Sequence, residues 1–189
     1  MVQSNLKNNY ISVYDNVLEE KHCNHLIEKF EFFKNQQKRT EKENQRYFTE
    51  INMNQHSEWK DYINVMMLNV YKPQIDKYVK DHNINLNVQW PNKYAYEEIR
   101  FKKYELNDQD EFKEHVDVYD YPTAKRFLVF FLYLNNNKGG QTTFPKLNIS
   151  VQPKAGRMLI FPPIWTYVHT AEKPIDQPKY ILGSYLHYV

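Results

Sequence analysis

At 189 residues the chain is near the usual size of one domain and long enough to bury a core, so a single domain spanning 1–189 is expected. A hydrophobic content of 41%, with aromatics at 16%, excludes the disordered class. The formal charge of +2 is spread evenly, with 12 residues of each sign over 1–90 and 13 basic against 11 acidic over 91–189, which lends no support to binding of nucleic acid or a membrane surface.

The chain opens with "MVQSNLKNNY", which lacks the apolar stretch of a signal peptide, and its single cysteine, Cys23, excludes an internal disulfide. A soluble, cytoplasmic protein is the resulting expectation. A short strand "YISVY" leads to residues 19–34, where Cys23, Leu26, Ile27, Phe30 and Phe33 fall at helical spacing. His22 and His25 lie three apart on that helix, a pairing read more readily as surface or packing residues than as metal ligands. Residues 35–46, "NQQKRTEKENQR", have no apolar period and read as a solvated loop. From Ser57 to about Lys80 a second helical pattern runs through Trp59, Ile63, Met66, Met67, Val70 and Tyr78, with Pro73 expected to kink or divide it.

Beyond Tyr94 the texture changes to short β-branched and aromatic runs: "YAYEEIRFKKY", "FKEHVDV", "RFLVFFLYL", "TTF", "NISVQ", "RMLIF", "TYVHT" and "KYILGSYLHYV". Strands without intervening helices imply a mainly β fold, an antiparallel sandwich or jelly roll with the N-terminal helices packed on one sheet. Helical support over about 15–82 and a β core over about 94–189 follow. Glycine occurs only four times, at Gly139, Gly140, Gly156 and Gly183, and each is expected where a side chain does not fit.

On a strand, residues i and i+2 share a face, so His115 and Asp117 in "EFKEHVDVYD" present an imidazole and a carboxylate side by side. His169 in "TYVHTAEKP" is a third candidate, on a later strand that a jelly roll can fold back over the first. Two histidines and one carboxylate leave one side of a metal open, an arrangement found in non-haem Fe(II) oxygenases. The His-x-Asp fragment alone is weak, and two polar residues on the wet side of a strand remain the ordinary reading of it.

The surrounding motifs carry more. "YELNDQDEFKEHVD", "RFLVFFLYLN", "GGQTTF", "VQPKAGRMLIFPP" and "HTAEKPIDQPKYIL" together resemble the 2-oxoglutarate and Fe(II)-dependent dioxygenases of the prolyl 4-hydroxylase-like branch. The resemblance runs from about Tyr10 to the C-terminus and is specific from Tyr104 onward. Departures are the missing glycine in the approach to His115, Gln141 in place of an acid, and Tyr185 where the branch commonly has tryptophan.

The resemblance implies a double-stranded β-helix in which His115, Asp117 and His169 bind Fe(II) and act in catalysis. Lys179 would meet the C5 carboxylate of 2-oxoglutarate, Tyr133 would supply a hydroxyl, and Tyr104 is a candidate for the C1 end. A buried anion needs such a cation and donors. Arg126 would hold a peptide substrate and Tyr185 would line the pocket beside the metal. Fe(II), 2-oxoglutarate and O2, with ascorbate as a candidate addition, are the implied cofactors and cosubstrates; succinate and CO2 are the implied products of a C–H hydroxylation. A prolyl residue in a peptide or protein is the leading substrate expectation, a free amino acid or other small molecule the second. Repair of alkylated nucleic acid and halogenation rank lower, the latter because Asp117 fills the position where halide would bind. A non-catalytic jelly-roll module with structural zinc is disfavoured by the lack of cysteine ligands.

Overall fold

The computed structural model describes residues 9–43 and 45–189. Twelve strands join one hydrogen-bonded sheet in the order β1-β10-β7-β12-β5-β3-β6-β11-β8-β9, with β2 added to β3 and β4 to β12. Their ranges are β1 Ser12–Tyr14, β2 Lys38–Lys42, β3 Arg46–Asn52, β4 Tyr94–Tyr96, β5 Arg100–Tyr104, β6 Phe112–His115, β7 Arg126–Tyr133, β8 Thr142–Phe144, β9 Ile149–Val151, β10 Arg157–Phe161, β11 His169–Ala171 and β12 Lys179–Tyr188. All the pairings are antiparallel, and the step from β3 to β6 rests on the single pair Arg46–Phe112. The sheet folds over itself there as a jelly roll, a double-stranded β-helix with helices on one side.

Alternation along the central strands builds two cores. On β7, Leu128, Phe130 and Leu132 face outward and pack with Phe101, Leu182 and Leu186 against the helices. Val129 and Tyr133 face inward with Leu159, Phe161 and Ile181. A strand buried on both faces reads as an unbroken apolar run, as "RFLVFFLY" does. Helix α1, Glu20–Phe32, contributes Cys23, Leu26 and Phe30 to the outer core from one stripe. Burial raises the Cys23 thiol to about 11. His22 and His25 belong to no metal-sized cluster among the described residues, and His25 Nε2 lies 2.8 Å from the Tyr62 hydroxyl.

Residues 35–46 are not the loop expected. A 3-10 turn at Lys34–Gln36 leads into β2, and β3 begins at Arg46. Among the described residues β2 pairs only with β3, and an edge strand with one wet face needs no apolar alternation, which hides it from a pattern search. Around Pro73 the helical stretch is divided as expected, with a π-helical turn between the two α-helices. Helix α2, Lys60–Val65, passes through a π-helical turn, Met66–Tyr71, into α3, Lys72–Asp81, where Pro73 occupies the first turn. The wide turn absorbs the residue whose ring would otherwise clash, and proline at a helix start lacks only a donor that has no partner there. No helix among the described residues is long and apolar enough to cross a membrane.

Candidate active site

β6 and β11 pair with His169 directly opposite His115, and the chain bends just after β6 so that Asp117 turns back to the same side. Strand alternation therefore places the first histidine, while the bend places the carboxylate. Ligand atoms of His115, Asp117 and His169 all lie within 4.8 Å of one another, and Asp117 and His169 are buried. His115 Nδ1 sits 2.7 Å from the Lys113 carbonyl, and His169 Nδ1 2.9 Å from that of Tyr167. A carbonyl only accepts, so each Nδ1 must carry the proton and donate it, leaving both Nε2 lone pairs free. Those two atoms stand 3.6 Å and 3.7 Å from opposite oxygens of Asp117, too far for a hydrogen bond and spaced for an ion between them.

Aromatic rings fix the imidazoles further. Phe112 stacks on His115 with the rings nearly parallel, and Phe144 and Phe161 flank His169. Burial lowers the His169 pKa to about 4, which keeps the ring neutral as a ligand must be. Burial acting alone would raise Asp117, but the neighbouring histidines and Lys102 outweigh it and hold the carboxyl well below the usual range. The donor set of neutral imidazoles and a carboxylate suits a divalent metal such as Fe(II).

Deeper in the barrel Lys179 is 1% exposed. Its Nζ donates to the carbonyls of Gly140 at 2.9 Å and Glu172 at 3.1 Å and lies 4.3 Å from the centre of the Tyr104 ring. An ammonium has three donors, so one remains for an anion in the cavity that Lys179 lines. Burial depresses its pKa to about 7, partly opposed by Glu172. Gly140 makes the passage possible. Its φ is +66°, and a Cβ there would sit 3.1 Å from Lys179 Cδ. Gly183 departs from the glycine expectation, since a Cβ there meets Phe131 at an ordinary 3.4 Å.

Tyr133 is fully buried and donates its hydroxyl to Thr142 Oγ1 at 2.7 Å, so Thr142, which lines the cavity, presents the nearer hydroxyl with Tyr133 behind it. Tyr104 stands opposite Lys179 in the β5–β12 register, at the lysine end of the cavity, and its hydroxyl makes no hydrogen bond among the described residues. Arg126 is not a free guanidinium. Its Nε and Nη2 bind Glu97 at 2.9 Å and 2.8 Å, its Nη1 binds the Asp117 carbonyl at 3.2 Å, and its plane lies 4.0 Å from the centre of Tyr185. It braces Tyr185 and the backbone beside the metal ligands. Tyr185 lines the same cavity, and burial raises its pKa well above the ordinary value.

Outside the ligands opens a cleft of ≈ 620 Å³ bounded by Phe48, Glu50, Lys102, Asp117, Arg126 and Tyr185 among others. Sequence reasoning missed Lys102, Glu97 and Thr142. Once Tyr104 is placed inward, period two also turns Lys102 and Arg100 inward, which was the available signal. Glu97 carries none, because its partner Arg126 lies 29 residues on in the chain, and Thr142 gains its place only from the hydroxyl contact with Tyr133 nine residues before it.

A jelly roll with two histidines and a carboxylate between its sheets, and a buried cation farther in, defines a mononuclear-metal oxygenase domain. Residues 99–187 match the model of the 2OG-Fe(II) oxygenase superfamily, and this part of the chain is a 2OG-Fe(II) oxygenase domain, whose family uses Fe(II), 2-oxoglutarate and O2. No curated protein matches the chain by sequence. Among solved structures, the viral collagen prolyl hydroxylase of Paramecium bursaria Chlorella virus-1 is 19% identical with a TM-score of 0.65, the match covering 96% of this chain and 97% of that one. A prolyl hydroxylase from Trichoplax adhaerens, solved with a hypoxia inducible factor peptide fragment, is 14% identical with a TM-score of 0.73, covering 99% and 87%. A Pseudomonas putida prolyl-4-hydroxylase is 18% identical with a TM-score of 0.68, covering 100% and 97%. At these identities the likeness establishes the shared fold.

Proposed function

We propose that the chain is a prolyl hydroxylase-like dioxygenase acting on a proline-containing peptide or protein, with His115, Asp117 and His169 as its Fe(II) ligands. The observation that carries the reading is the pair of Nε2 lone pairs facing Asp117, each fixed by an Nδ1–H bond to a backbone carbonyl. When bound, iron, 2-oxoglutarate and O2 would supply an oxidation in which one oxygen atom of O2 enters the substrate C–H bond as C–OH and the other enters succinate, formed from 2-oxoglutarate with loss of CO2. Lys179 holds the far carboxylate through its remaining donor, helped by Thr142 and, behind it, Tyr133. Val129, Phe131 and Ile181 form an apolar wall that limits water. Arg126 fixes Tyr185 against the target residue instead of gripping the peptide itself.

A peptide substrate is supported by the open shape of the cleft and by aromatic side chains on its rim. Tyr119 lines the cleft, and Tyr121 on the same loop is 95% exposed. Such rings suit the extended, pre-organised backbone of proline-rich segments. A cytoplasmic, reducing setting belongs to the same proposal, supported by a single buried thiol. The test is a panel of proline-containing peptides and free amino acids incubated with Fe(II), 2-oxoglutarate and air, scored for succinate and for the added mass of one oxygen. Peptides should gain oxygen and free proline should not; strong coupling to a free amino acid with no peptide modified defeats the prolyl reading.

A further inference from the structure

Lys102 is a basic side chain inside the cleft with no carboxylate in direct contact, Glu50 and Asp117 acting on it only from farther off. Its strand register sets it directly opposite Glu50 on β3, the neighbour an exposed cross-strand pair would use. Its Nζ instead turns along the strand to lie 4.6 Å from the centre of the Phe48 ring, and no carboxylate of the described residues comes within ion-pair distance. It lines both the inner cavity and the outer cleft, at the junction where the ligands stand.

The charges around it leave it in excess. Arg126 is held by Glu97, Arg100 by Glu98, and Asp117 faces the imidazoles. Arg46, Lys102 and Lys125 then remain in the cleft against Glu50. Arg46 adds an independent sign. Its Nε is buried with no hydrogen-bond partner, while its guanidinium lies 5.4 Å from the centre of the Phe112 ring that stacks on His115. A buried donor left without an acceptor is costly, and one such donor beside an ammonium with no ion-pair partner on the same cleft wall matches an anion that arrives with the ligand. Cosubstrate already has its cation at Lys179, on the level of Tyr104; Lys102 lies two residues along β5, toward the cleft mouth.

We infer that Lys102, with Arg46 on the same wall, forms a carboxylate-recognition site for the substrate, so that the preferred substrate carries an acidic group beside the carbon to be oxidised. This rests on reading the cleft as the substrate site. The carboxylate can come from an acidic residue flanking the target in a peptide, or from the free carboxyl end of the target residue. A planar carboxylate would accept from both cations, while Phe48 beneath it keeps water away and strengthens the contact.

Calorimetric titration of Fe(II)- and 2-oxoglutarate-loaded protein under argon reads binding without turnover. The probes are acetyl-Ala-Glu-Pro-Ala-amide against its glutamine counterpart, acetyl-Ala-Pro with a free carboxyl against its amide, and both pairs again with alanine in place of proline. In wild type the acid of one pair should bind about ten- to a hundredfold more tightly than its neutral partner, and the pair that responds identifies the source of the carboxylate. Lys102→Met, which keeps the stem over Phe48, should bring the ratio to about one, and Lys102→Arg should restore it. A preference that persists without proline supports the carboxylate site while removing the prolyl reading. Equal or absent binding of acid and neutral forms in every pair overturns the inference. So does a Lys102→Met loss that falls on 2-oxoglutarate titrated alone while the acid preference stays intact.

Discussion

Replacing Lys179 by methionine removes a buried ammonium while keeping most of its volume. The side chain is 1% exposed, two of its donors are engaged by the Gly140 and Glu172 carbonyls, and the third faces the cavity. A 2-oxoglutarate carboxylate bound there without its cation is an unpaired buried charge, a loss of about 3–5 kcal/mol, so the dissociation constant should rise between about a hundredfold and a few thousandfold. Acidity supplies a second readout. Because burial sets the free lysine near pKa 7, it is mostly neutral at pH 8, and an incoming carboxylate must bring a proton with it. Binding at pH 8 should therefore take up about 0.9 proton and be about tenfold weaker than at pH 6. The same lowered pKa opposes folding of the unliganded protein, fully below about pH 7 and decreasingly as pH rises toward 10.5, where the unfolded lysine also loses its charge. Calorimetry in two buffers of different ionisation enthalpy measures affinity and proton uptake together. Affinities within twofold for wild type and Lys179→Met, or no proton uptake at pH 8, would refute the placement of the cosubstrate against this lysine.

Three further outcomes follow from the geometry. Alanine at His115, Asp117 or His169 should abolish metal loading, measured by metal analysis after anaerobic gel filtration, with circular dichroism unchanged; full loading by Asp117→Ala would remove the assignment. Gly140→Ala places a side chain in a left-handed conformation and against Lys179 Cδ, so it should lower stability by about 1–2 kcal/mol in denaturant titration and also weaken 2-oxoglutarate binding. Asp110, wholly buried, accepts two bonds from Arg39 and one each from the Glu105 amide and Asn107; Asp110→Ala should cost about 3 kcal/mol and loosen the turn that leads into β6. Its carboxyl, which burial alone would raise, is held below its ordinary pKa by those partners. The stability it contributes is therefore present above about pH 4 and lost as pH falls further, a trend a melting series in acid would show.

The sequence revealed most where one element decides the outcome. Runs of β-branched and aromatic residues announced β7 and β12, the helical stripe of Cys23, Leu26 and Phe30 announced α1, and the motifs around His115, Asp117, His169 and Lys179 pointed to residues that the fold places in one cluster beside a buried cation. Where two distant segments must meet, it was silent. β2 looked like a loop because its partner β3 supplies the order that its own residues lack. Arg126 looked free because Glu97, 29 residues away in the chain, could not be placed beside it without the fold. Lys102 carries no signal of its own, and only the inward placement of Tyr104 fixes which way it faces on β5.

β12 carries both ends of the chemistry on one rigid segment. Lys179 begins it and Tyr185, six residues on, points to the same interior, a separation of about 20 Å at roughly 3.3 Å per residue. The strand is paired to β5 from Lys179 to Gly183 and to β7 from Ile181 to His187, so every residue of the span has a strand neighbour and its length cannot stretch or coil to suit a new ligand. With Lys179 and Tyr185 in the roles proposed above, it is a fixed gauge between cosubstrate and substrate. Inserting one residue between Lys179 and Tyr185 would turn the tyrosine to the helix side of the sheet while leaving the lysine in place. Substrate choice and cosubstrate use are thus mechanically separable at a single backbone position, and the range of substrates is adjusted by side chains facing the gauge rather than by its length.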